Sequence, residues 1–569
     1  MLTDGTWDHE VDVIVLGAGP AGMAAAIVSE NEGLKPLILE KTDLVGGTCA
    51  FSVGMMWFVA TDQMRAAGFD DSFEKARRYL SATVSDSAPR ELQDAYVEIG
   101  RVALDYLVSH SDLEVAAVDY PDYHPEITGG MFGRAHAPVE FDARELGPAF
   151  KNIRPPLPAF APLGGMMLDL VDLMDFLSAA RSFRSFCNVM KRLARYGLDR
   201  LRGFHRGTRL VGGNALIARF YKTILDRKIP LWMRAAAAKL VLDNGAVIGA
   251  EVVRDGTLLR VRARRGVIIA TGGYPGNLAM RQQNSRKPTV ERTLGLASNV
   301  GEGIELGISA GGRLDHNAED TGYYVPMSEL KTGKSDRILW AHFMLDRPMP
   351  GFIAVNSEGK RFTNESASYH DFTIGMFNSG SIPAFLIADS TAIRKYGAGL
   401  LLPMVGPIPR RRLEKAGYLF SGRTLDELAG KIGVDAQGLK NSVARNNRFA
   451  PTGVDDDFGK GSTPYNTYKG DPSHKPNPCL GPIERAPFYA IKLYPGDFGT
   501  SRGLVTGPNG EVLDRDNQPI PGLYACGNDM NSPLAGHYIG AGITIGPALT
   551  FGYLSARALA GTNGASRIS

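Results

Sequence analysis

Three tyrosines and one glycine turn are the residues, outside the nucleotide motifs described below, whose types could carry chemistry. Tyr123 follows a Pro-Asp pair, Tyr369 begins a helix-like segment, and Tyr538 precedes a glycine-rich turn that ends at Gly542. A tyrosine is most often a packing residue, so residue type alone assigns these three no role. The Gly542 turn precedes the apolar helix predicted over 543–552, and a helix N-terminus presents N–H groups to an anion or a developing enolate oxygen.

A second set of residues, near the N-terminus, has the spacing of a dinucleotide-binding site. The β-branched run 11–16 predicts a buried parallel strand, and the alanine-rich run 23–30 predicts a helix. A second strand is predicted over 34–39 and ends at Glu40. These elements, with a glycine turn between the first two, indicate a βαβ nucleotide fold rather than an incidental turn.

The three glycines of that turn have separate tasks in such a fold. Gly17 makes the tight turn, Gly19 lets the backbone approach a pyrophosphate, and Gly22 lets the helix pack closely on the strand. The phosphates would lie at the helix N-terminus, and Glu40 would accept hydrogen bonds from the ribose hydroxyls.

Further glycine turns extend this site and favour FAD over NAD. One turn, 46–48, lies just past Glu40, and two others end the predicted strands before Thr271 and Gly527. Such turns would converge on one extended cofactor, although each of the last two could be an ordinary strand end. The predicted FAD-binding residues are Gly17, Gly19, Gly22, Glu40, Lys41, Gly47, Thr48, Ser52, Thr271, Gly272, Gly527, Asn528 and Ile543.

The order of these motifs predicts an α/β chain with a discontinuous, Rossmann-like FAD domain of the two-dinucleotide-binding type. Its three parts are residues 1–150, 206–316 and 494–569. Between them lies an α+β catalytic domain, 317–493, without a nucleotide motif. Ligand sites tend to form at interfaces between domains, so we expect the substrate to bind where these two meet.

The segment 151–205 is predicted to be an inserted helical unit. Basic residues alternate there with apolar ones in an amphipathic pattern, and the basic residues are Arg181, Arg184, Lys191, Arg192, Arg195, Arg200 and Arg202. A basic amphipathic helix can lie in a membrane interface. Packing of a helical hairpin on the enzyme or on a sister subunit is an equally good interpretation.

Composition excludes several other classes of protein. The 569 residues carry a net charge of only +3, which gives no reason to expect a nucleic-acid partner. The four cysteines are widely spaced and form no metal-binding pattern, so no metal is expected. The acidic N-terminus lacks the features of a signal peptide, and no apolar run is long enough to span a membrane. A cytoplasmic protein is predicted, with peripheral contact to the inner face of the cell membrane through 151–205 as one interpretation.

Together, the motifs resemble those of the 3-ketosteroid Δ1-dehydrogenases, within the fumarate-reductase-like flavoproteins. The resemblance covers nearly the whole chain apart from 151–205. Besides the N-terminal motifs, it rests on Pro121-Asp-Tyr123, Arg361-Phe-Thr-Asn-Glu365 with Tyr369, Gly503-Leu-Val-Thr506, and Tyr538 with Gly542 four residues later.

The resemblance implies a role for each member of the catalytic set. Tyr369 would accept a proton from the substrate, and Tyr123 would support it by a hydrogen bond that lowers its pKa. Tyr538 and the Gly542 N–H would hold the oxygen of a 3-ketosteroid, and flavin N5 would take the hydride. An external electron acceptor, which the sequence does not identify, would reoxidise the flavin.

Two departures from the family pattern leave the substrate open. Ile539 stands where the family often has proline, and compact members lack the 151–205 insertion. A desaturase of a smaller cyclic ketone and a non-catalytic, membrane-tethered flavin protein are therefore alternatives. A fumarate reductase is disfavoured because no histidine near 496–504 could bind a dicarboxylate. His124 and His537, beside two of the tyrosines, are interpreted as structural or supporting rather than catalytic.

Overall fold

A computed structural model provides the fold described here. It describes residues 6–158, 161–179, 182–288, 290–333, 336–343, 345–402 and 408–562. Arg181, one of the basic residues of the insertion, lies outside these ranges.

The first sheet has eight strands and contains the predicted βαβ unit. At its centre, His9–Leu16 pairs in parallel with Pro36–Leu39 on one side and with Thr257–Ile269 on the other. The C-terminal halves of these strands, 13–16, 37–39 and 267–269, are buried and apolar, and the helix Pro20–Asn31 packs against the first two of them. From edge to edge the strands run Glu511–Leu513, Pro519–Ala525, Thr257–Ile269, His9–Leu16, Pro36–Leu39 and Leu231–Trp232, while Ala246–Arg254 pairs with Thr257–Ile269 and with Ala235–Asp243.

The helix Pro20–Asn31 starts three residues earlier than predicted. Gly19 is its N-cap and Pro20 its first residue, a position where a missing N–H costs no hydrogen bond. Its small side chains are almost all buried, and they let the C-terminal helix Ile545–Leu559 pack closely: a side chain on Gly552 would lie 2.8 Å from the Ala21 carbonyl oxygen.

The second sheet has seven strands arranged around the long strand Phe488–Thr500. The main path of this sheet is Arg337–Ala341, Gly322–Lys331, Phe488–Thr500, Ala384–Ala388 and Phe352–Val355, and Arg292–Thr293 and Leu419–Gly422 also pair with Phe488–Thr500. Its helices are Tyr369–Ser379, Ser390–Tyr396, Arg410–Lys415, Leu425–Ile432, Ala436–Thr452 and Pro464–Lys469. The central strand runs across residue 494, the domain boundary predicted from the sequence, and all of its pairings lie within this second sheet.

Smaller elements connect the two sheets and cover the first. The helices are Asp62–Ala66, Phe73–Thr83, Arg90–Ser109, Gly212–Asp226, Leu278–Asn284 and Glu302–Ser309. The short strands are Met56–Trp57, Val115–Ala117 and Ala135–Pro138 in one sheet, and Phe141–Asp142 with Arg209–Leu210 in another. Across the described ranges, no helix is long and apolar enough to cross a membrane, and no group of side chains has the make-up of a metal site.

The insertion contains the helices Leu170–Ser178 and Phe183–Leu201, and the longer one packs with its polar face inward. Arg192 forms an ion pair with Asp172, and the buried Asp199 accepts hydrogen bonds from Thr208. The opposite face of the longer helix leaves an apolar stripe exposed to solvent, made of Phe183, Phe186, Met190, Leu198 and Leu201.

Candidate active site

One cavity of about 870 Å³ joins the glycine turns of the first sheet to the three tyrosines. Of the predicted cofactor residues, those on its wall are Gly17, Gly19, Glu40, Lys41, Gly47, Thr48, Ser52, Thr271, Gly272, Gly527 and Asn528. Tyr123, Tyr369, Tyr538 and Gly542 line the same cavity. Gly22 and Ile543 are buried behind the wall, so they could shape the site only through the backbone that they pack against.

The three N-terminal glycines are needed for two different reasons: two lie where a side chain would collide with the backbone, and one borders open space. A side chain on Gly17, whose φ is +106°, would lie 2.3 Å from the Ala270 carbonyl oxygen, and one on Gly22 would lie 2.1 Å from the Gly17 carbonyl oxygen. At Gly19, by contrast, nothing lies within 4 Å of an added Cβ. Open space at the N-terminus of the helix Pro20–Asn31 fits a pyrophosphate, so the residues present suit FAD.

Glu40 and Lys41 are held in place at the nucleotide end of the cavity. The Glu40 carboxylate accepts hydrogen bonds from the Ala18 N–H at 3.1 Å and from the Thr42 N–H and hydroxyl at 2.9 and 2.8 Å. Lys41 forms an ion pair with Glu302, the first residue of the helix Glu302–Ser309. Sequence reasoning missed Glu302, which carries no motif and is recognisable only as an acidic residue in a first helical turn.

Thr48 and Ser52 form hydrogen bonds with backbone atoms in and beside the loop that follows Glu40. The Thr48 hydroxyl accepts a hydrogen bond from the Leu296 N–H at 3.0 Å. The Ser52 hydroxyl donates to the Cys49 carbonyl oxygen at 2.8 Å and accepts from the Gly54 N–H at 2.9 Å. Both side chains therefore fix the loop that walls the cavity.

Asp529, which sequence reasoning also missed, joins the two remaining turns. Its carboxylate accepts hydrogen bonds from the Thr271 hydroxyl at 2.9 Å and from the N–H groups of Gly272 and Gly273 at 2.7 and 3.2 Å. Burial raises the pKa of Asp529, although these donors act to lower it. The signal that could have identified it is its place two residues after Gly527, at the end of a strand parallel to the one before Thr271.

The three tyrosines, far apart in sequence, form one buried cluster. The Tyr123 hydroxyl donates a hydrogen bond to the Tyr369 hydroxyl at 2.6 Å. The ring centroids of Tyr369 and Tyr538 are 5.2 Å apart, and those of Tyr123 and Tyr538 are 5.5 Å apart and nearly parallel. A phenol cluster on the cavity wall can bind an oxygen and move a proton.

Hydrogen bonds to the backbone tie the segment that carries Tyr123 to the segment that carries Tyr538. The Tyr79 hydroxyl bonds to both segments. The Ile539 carbonyl oxygen accepts hydrogen bonds from the Tyr123 N–H at 2.9 Å and from the Tyr79 hydroxyl at 2.7 Å. The Tyr79 hydroxyl in turn accepts one from the His124 N–H at 3.2 Å. Tyr79 is fully buried, and nothing in the local sequence distinguishes it from a packing residue.

Gly542 is a position that requires glycine. Its φ is +102°, and a side chain there would lie 2.5 Å from the backbone of Met56. Within the part of the chain that the structure describes, the Gly542 N–H has no hydrogen-bond acceptor, and the residue lines the cavity beside Tyr538. That N–H and the Tyr538 hydroxyl are therefore two hydrogen-bond donors on the wall of the same cavity.

Burial decides the protonation of the cluster. It raises the pKa of Tyr369 well above the usual value, and the hydrogen bond from Tyr123 acts in the opposite direction without reversing the shift. Burial also raises the pKa of Tyr538 and of Tyr123. The lowering by Tyr123 that the sequence led us to expect thus operates, but desolvation outweighs it.

Aromatic and apolar side chains surround the tyrosines. Tyr323, Trp340, Phe343 and Phe498 lie on the cavity wall at this end. Among the described residues of the wall, Lys41 is the sole basic one, and it lies at the nucleotide end. His124 and His537 do not line the cavity, and His537 hydrogen-bonds to Ser85 at 3.0 Å, which agrees with a structural role.

Comparison with known proteins gives consistent matches over nearly the whole chain. The family described as FAD binding domain matches residues 12–545. A 3-oxosteroid 1-dehydrogenase of Mycolicibacterium smegmatis is 37% identical, with 98% of this chain and 99% of that protein covered. A 4-oxocyclohex-2-ene-1-carboxylate 5-dehydrogenase of Sinomonas cyclohexanicum is 36% identical, with 96% and 93% covered.

A solved structure agrees with the fold. The 3-ketosteroid Δ1-dehydrogenase of Sterolibacterium denitrificans, in complex with 1,4-androstadiene-3,17-dione, superposes with a TM-score of 0.90 at 34% identity, covering 98% of this chain and 100% of that one. The predicted flavoprotein fold, the FAD cofactor and the family resemblance are confirmed. The chain belongs to the FAD-binding family that includes the 3-oxosteroid 1-dehydrogenases.

Proposed function

We propose that this protein is an FAD-dependent 3-ketosteroid Δ1-dehydrogenase, which introduces a 1,2 double bond into ring A. The observation that carries the proposal is the hydrogen-bonded pair Tyr123–Tyr369, beside Tyr538 and Gly542, on the wall of a cavity that continues to the dinucleotide turns. Relatives named for this activity share the family and nearly the full length.

The ketone oxygen is the group that Tyr538 and Gly542 would bind. The O–H and the N–H would polarise the carbonyl and stabilise negative charge on its oxygen as the neighbouring carbon loses a proton. A donor of this kind contributes about 3 kcal/mol to the stability of the transition state. Because both donors are fixed before the substrate arrives, little energy is lost in orienting them.

Tyr369 would act as the base in this reaction. Its phenolate would remove a proton from the carbon next to the ketone, and the hydrogen bond from Tyr123 would stabilise that phenolate. When bound, FAD supplies the acceptor for the hydride that leaves the adjacent carbon. Since burial raises the pKa of Tyr369, the phenolate fraction, and with it the rate, should increase as the pH rises.

Two observations favour an uncharged, extended ketone over a small keto acid. The relative from Sinomonas is named for a carboxylate substrate, and a carboxylate is bound most strongly by a cationic side chain. Around the tyrosines, the described part of the cavity wall offers aromatic and apolar groups and no basic side chain. Such a lining matches the apolar surface of a steroid.

Anaerobic reduction of the flavin tests this proposal. We expect the yellow protein to bleach with androst-4-ene-3,17-dione and to stay oxidised with 4-oxocyclohexanecarboxylate. Bleaching with the keto acid alone would establish the smaller ketone as the substrate. If no ketone bleaches the flavin, and the flavin of Tyr369→Phe responds to the ketones in the same way as that of the original protein, a non-catalytic flavin protein is indicated instead.

We further propose that the insertion docks the enzyme on an anionic membrane surface, at the inner face of the cell membrane. The helix Phe183–Leu201 uses its polar face for contacts within the protein, so its apolar stripe is left for another partner. Exposed basic residues beside the stripe, Arg184, Lys191 and Arg202, would attract acidic lipid headgroups. An apolar steroid partitions into membranes, which would bring substrate and enzyme together.

Flotation with vesicles tests the docking. The protein should float with vesicles of equal parts phosphatidylglycerol and phosphatidylcholine, and the double variant Phe183→Ser/Leu201→Ser should not. Leu258→Ser is the matched control, because Leu258 is also exposed but lies on the strand Thr257–Ile269. A protein that stays free of vesicles but dimerises through this stripe would overturn the proposal.

A further inference from the structure

His124 and Asp371 form an ion pair between the two halves of the tyrosine cluster. The His124 Nε2 lies 3.3 Å from an Asp371 carboxylate oxygen, and its Nδ1 lies 3.5 Å from a Glu126 oxygen. His124 follows Tyr123, whereas Asp371 lies in the first turn of the helix that Tyr369 begins. The pair therefore joins the segments that carry the hydrogen-bonded phenols.

Each partner is itself firmly held. The His124 N–H donates to the Tyr79 hydroxyl, which also binds the Ile539 carbonyl oxygen. The Asp371 carboxylate accepts one hydrogen bond from the Ser368 hydroxyl at 2.7 Å, and the Asp371 N–H donates to that hydroxyl at 3.1 Å. A change at this ion pair would consequently be felt at the 2.6 Å contact between the phenols.

The pair also affects the electrostatic environment of Tyr369. Burial acts to lower the pKa of His124, but Asp371 and Glu126 outweigh it and raise that pKa to about 10, so the imidazole is cationic at neutral pH. Without this cation, the Asp371 carboxylate, two residues from Tyr369, would lose the charged partner 3.3 Å away and would keep only more general compensation, to which Arg347 contributes. A nearby negative charge opposes the formation of a phenolate.

We propose that His124 is a positioning residue for proton abstraction, which acts through Asp371 to fix the Tyr123–Tyr369 hydrogen bond and to cancel the carboxylate charge beside Tyr369. This inference rests on the proposed dehydrogenase function. It assigns no contact with the substrate to His124, which lies off the cavity wall.

A double-mutant cycle on the FAD-loaded enzyme tests the inference. His124→Gln should lower kcat about tenfold while KM changes less than about twofold, since coupled contacts of this kind are typically worth 2- to 100-fold. The isotope effect with substrate deuterated at C2 should rise, because proton abstraction becomes slower. His124→Gln/Asp371→Asn should recover part of the loss, since it removes both charges, and His124→Lys, which keeps a cation, should recover part as well.

The control is Glu126→Gln, which removes the other carboxylate near His124 and should leave kcat within about twofold of the original. Flavin content and thermal unfolding of each variant report whether it folds. If His124→Gln folds, binds FAD and retains kcat and the isotope effect, or if the double variant is no better than the single one, the inference is wrong. If the unmodified enzyme itself fails to bleach with steroid, the proposed function fails instead.

Discussion

The two ends of the cavity are built in different ways. At the cofactor end, Gly17, Gly19 and Glu40 come from one continuous segment, and they act through turns, open space and backbone N–H groups. At the tyrosine end, Tyr123 and Tyr369 come from chain segments 246 residues apart and meet through side chains. The first end can be recognised from spacing, while the second exists only after folding. We therefore expect mutations at one end to affect FAD binding and those at the other to affect turnover.

Tyr369→Phe is expected to give the largest difference between an effect on turnover and an effect on FAD binding. Loss of a general base lowers turnover by about 100- to 10,000-fold, while FAD content should not change because the phenol lies away from the dinucleotide turns. Steady-state kinetics with a flavin absorbance spectrum measures both. Tyr274→Phe is the matched control, since Tyr274 is fully buried but off the cavity wall. A Tyr369→Phe enzyme with turnover above a tenth of the original would contradict the assigned role.

Tyr538→Phe should have the next largest effect. Removing one donor to the ketone oxygen costs about 100- to 1,000-fold in kcat, and the Gly542 N–H keeps the remaining polarisation. The binding of the product dienone, followed by flavin absorbance, should weaken far less than kcat falls. Equal losses in binding and in kcat would mean that Tyr538 holds the substrate without stabilising the charge that develops.

A smaller effect, with a pH signature, is expected for Tyr123→Phe. The hydrogen bond from Tyr123 lowers the pKa of Tyr369, so its removal raises that pKa further. At neutral pH the rate should fall roughly tenfold, and the rise of kcat/KM should move to higher pH, because more alkali is needed to form the phenolate. A profile that keeps its midpoint, or moves to lower pH, would show that Tyr123 does not support the base.

The smallest change in turnover is expected at the cofactor end, for Gly19→Ala. The added methyl group meets no protein atom within 4 Å, so the fold should persist, but it enters the space left for the pyrophosphate. The Kd for FAD should rise roughly tenfold, about 1.4 kcal/mol, with kcat unchanged at saturating FAD. A titration of apoprotein with FAD measures this. Unchanged FAD affinity would place the cofactor away from Gly19.

Sequence alone determined the cofactor end of this protein. A strand, a glycine turn, a helix and an acidic residue are local features, because the positive φ at Gly17 and the start of a helix at Pro20 are properties of one short turn. The identities of Tyr123, Tyr369, Tyr538 and Gly542 came from motif resemblance, and the structure brings all four to one cavity. Their assigned roles remain predictions.

Only the tertiary structure decided how the tyrosine end works and which distant residues complete the cofactor end. Glu302 and Asp529 reach the cofactor turns from distant segments, and the ion pair of His124 with Asp371 has no signature in sequence. The sequence predicted an amphipathic helix in the insertion and left open whether it lies on a membrane or packs on protein, and only the structure shows its apolar stripe facing outward. Likewise, the sign of the pKa shift at Tyr369 depends on burial, which is the sum of every segment packed around the phenol. Local spacing fixes a turn, but desolvation and long-range pairing are properties of the folded chain.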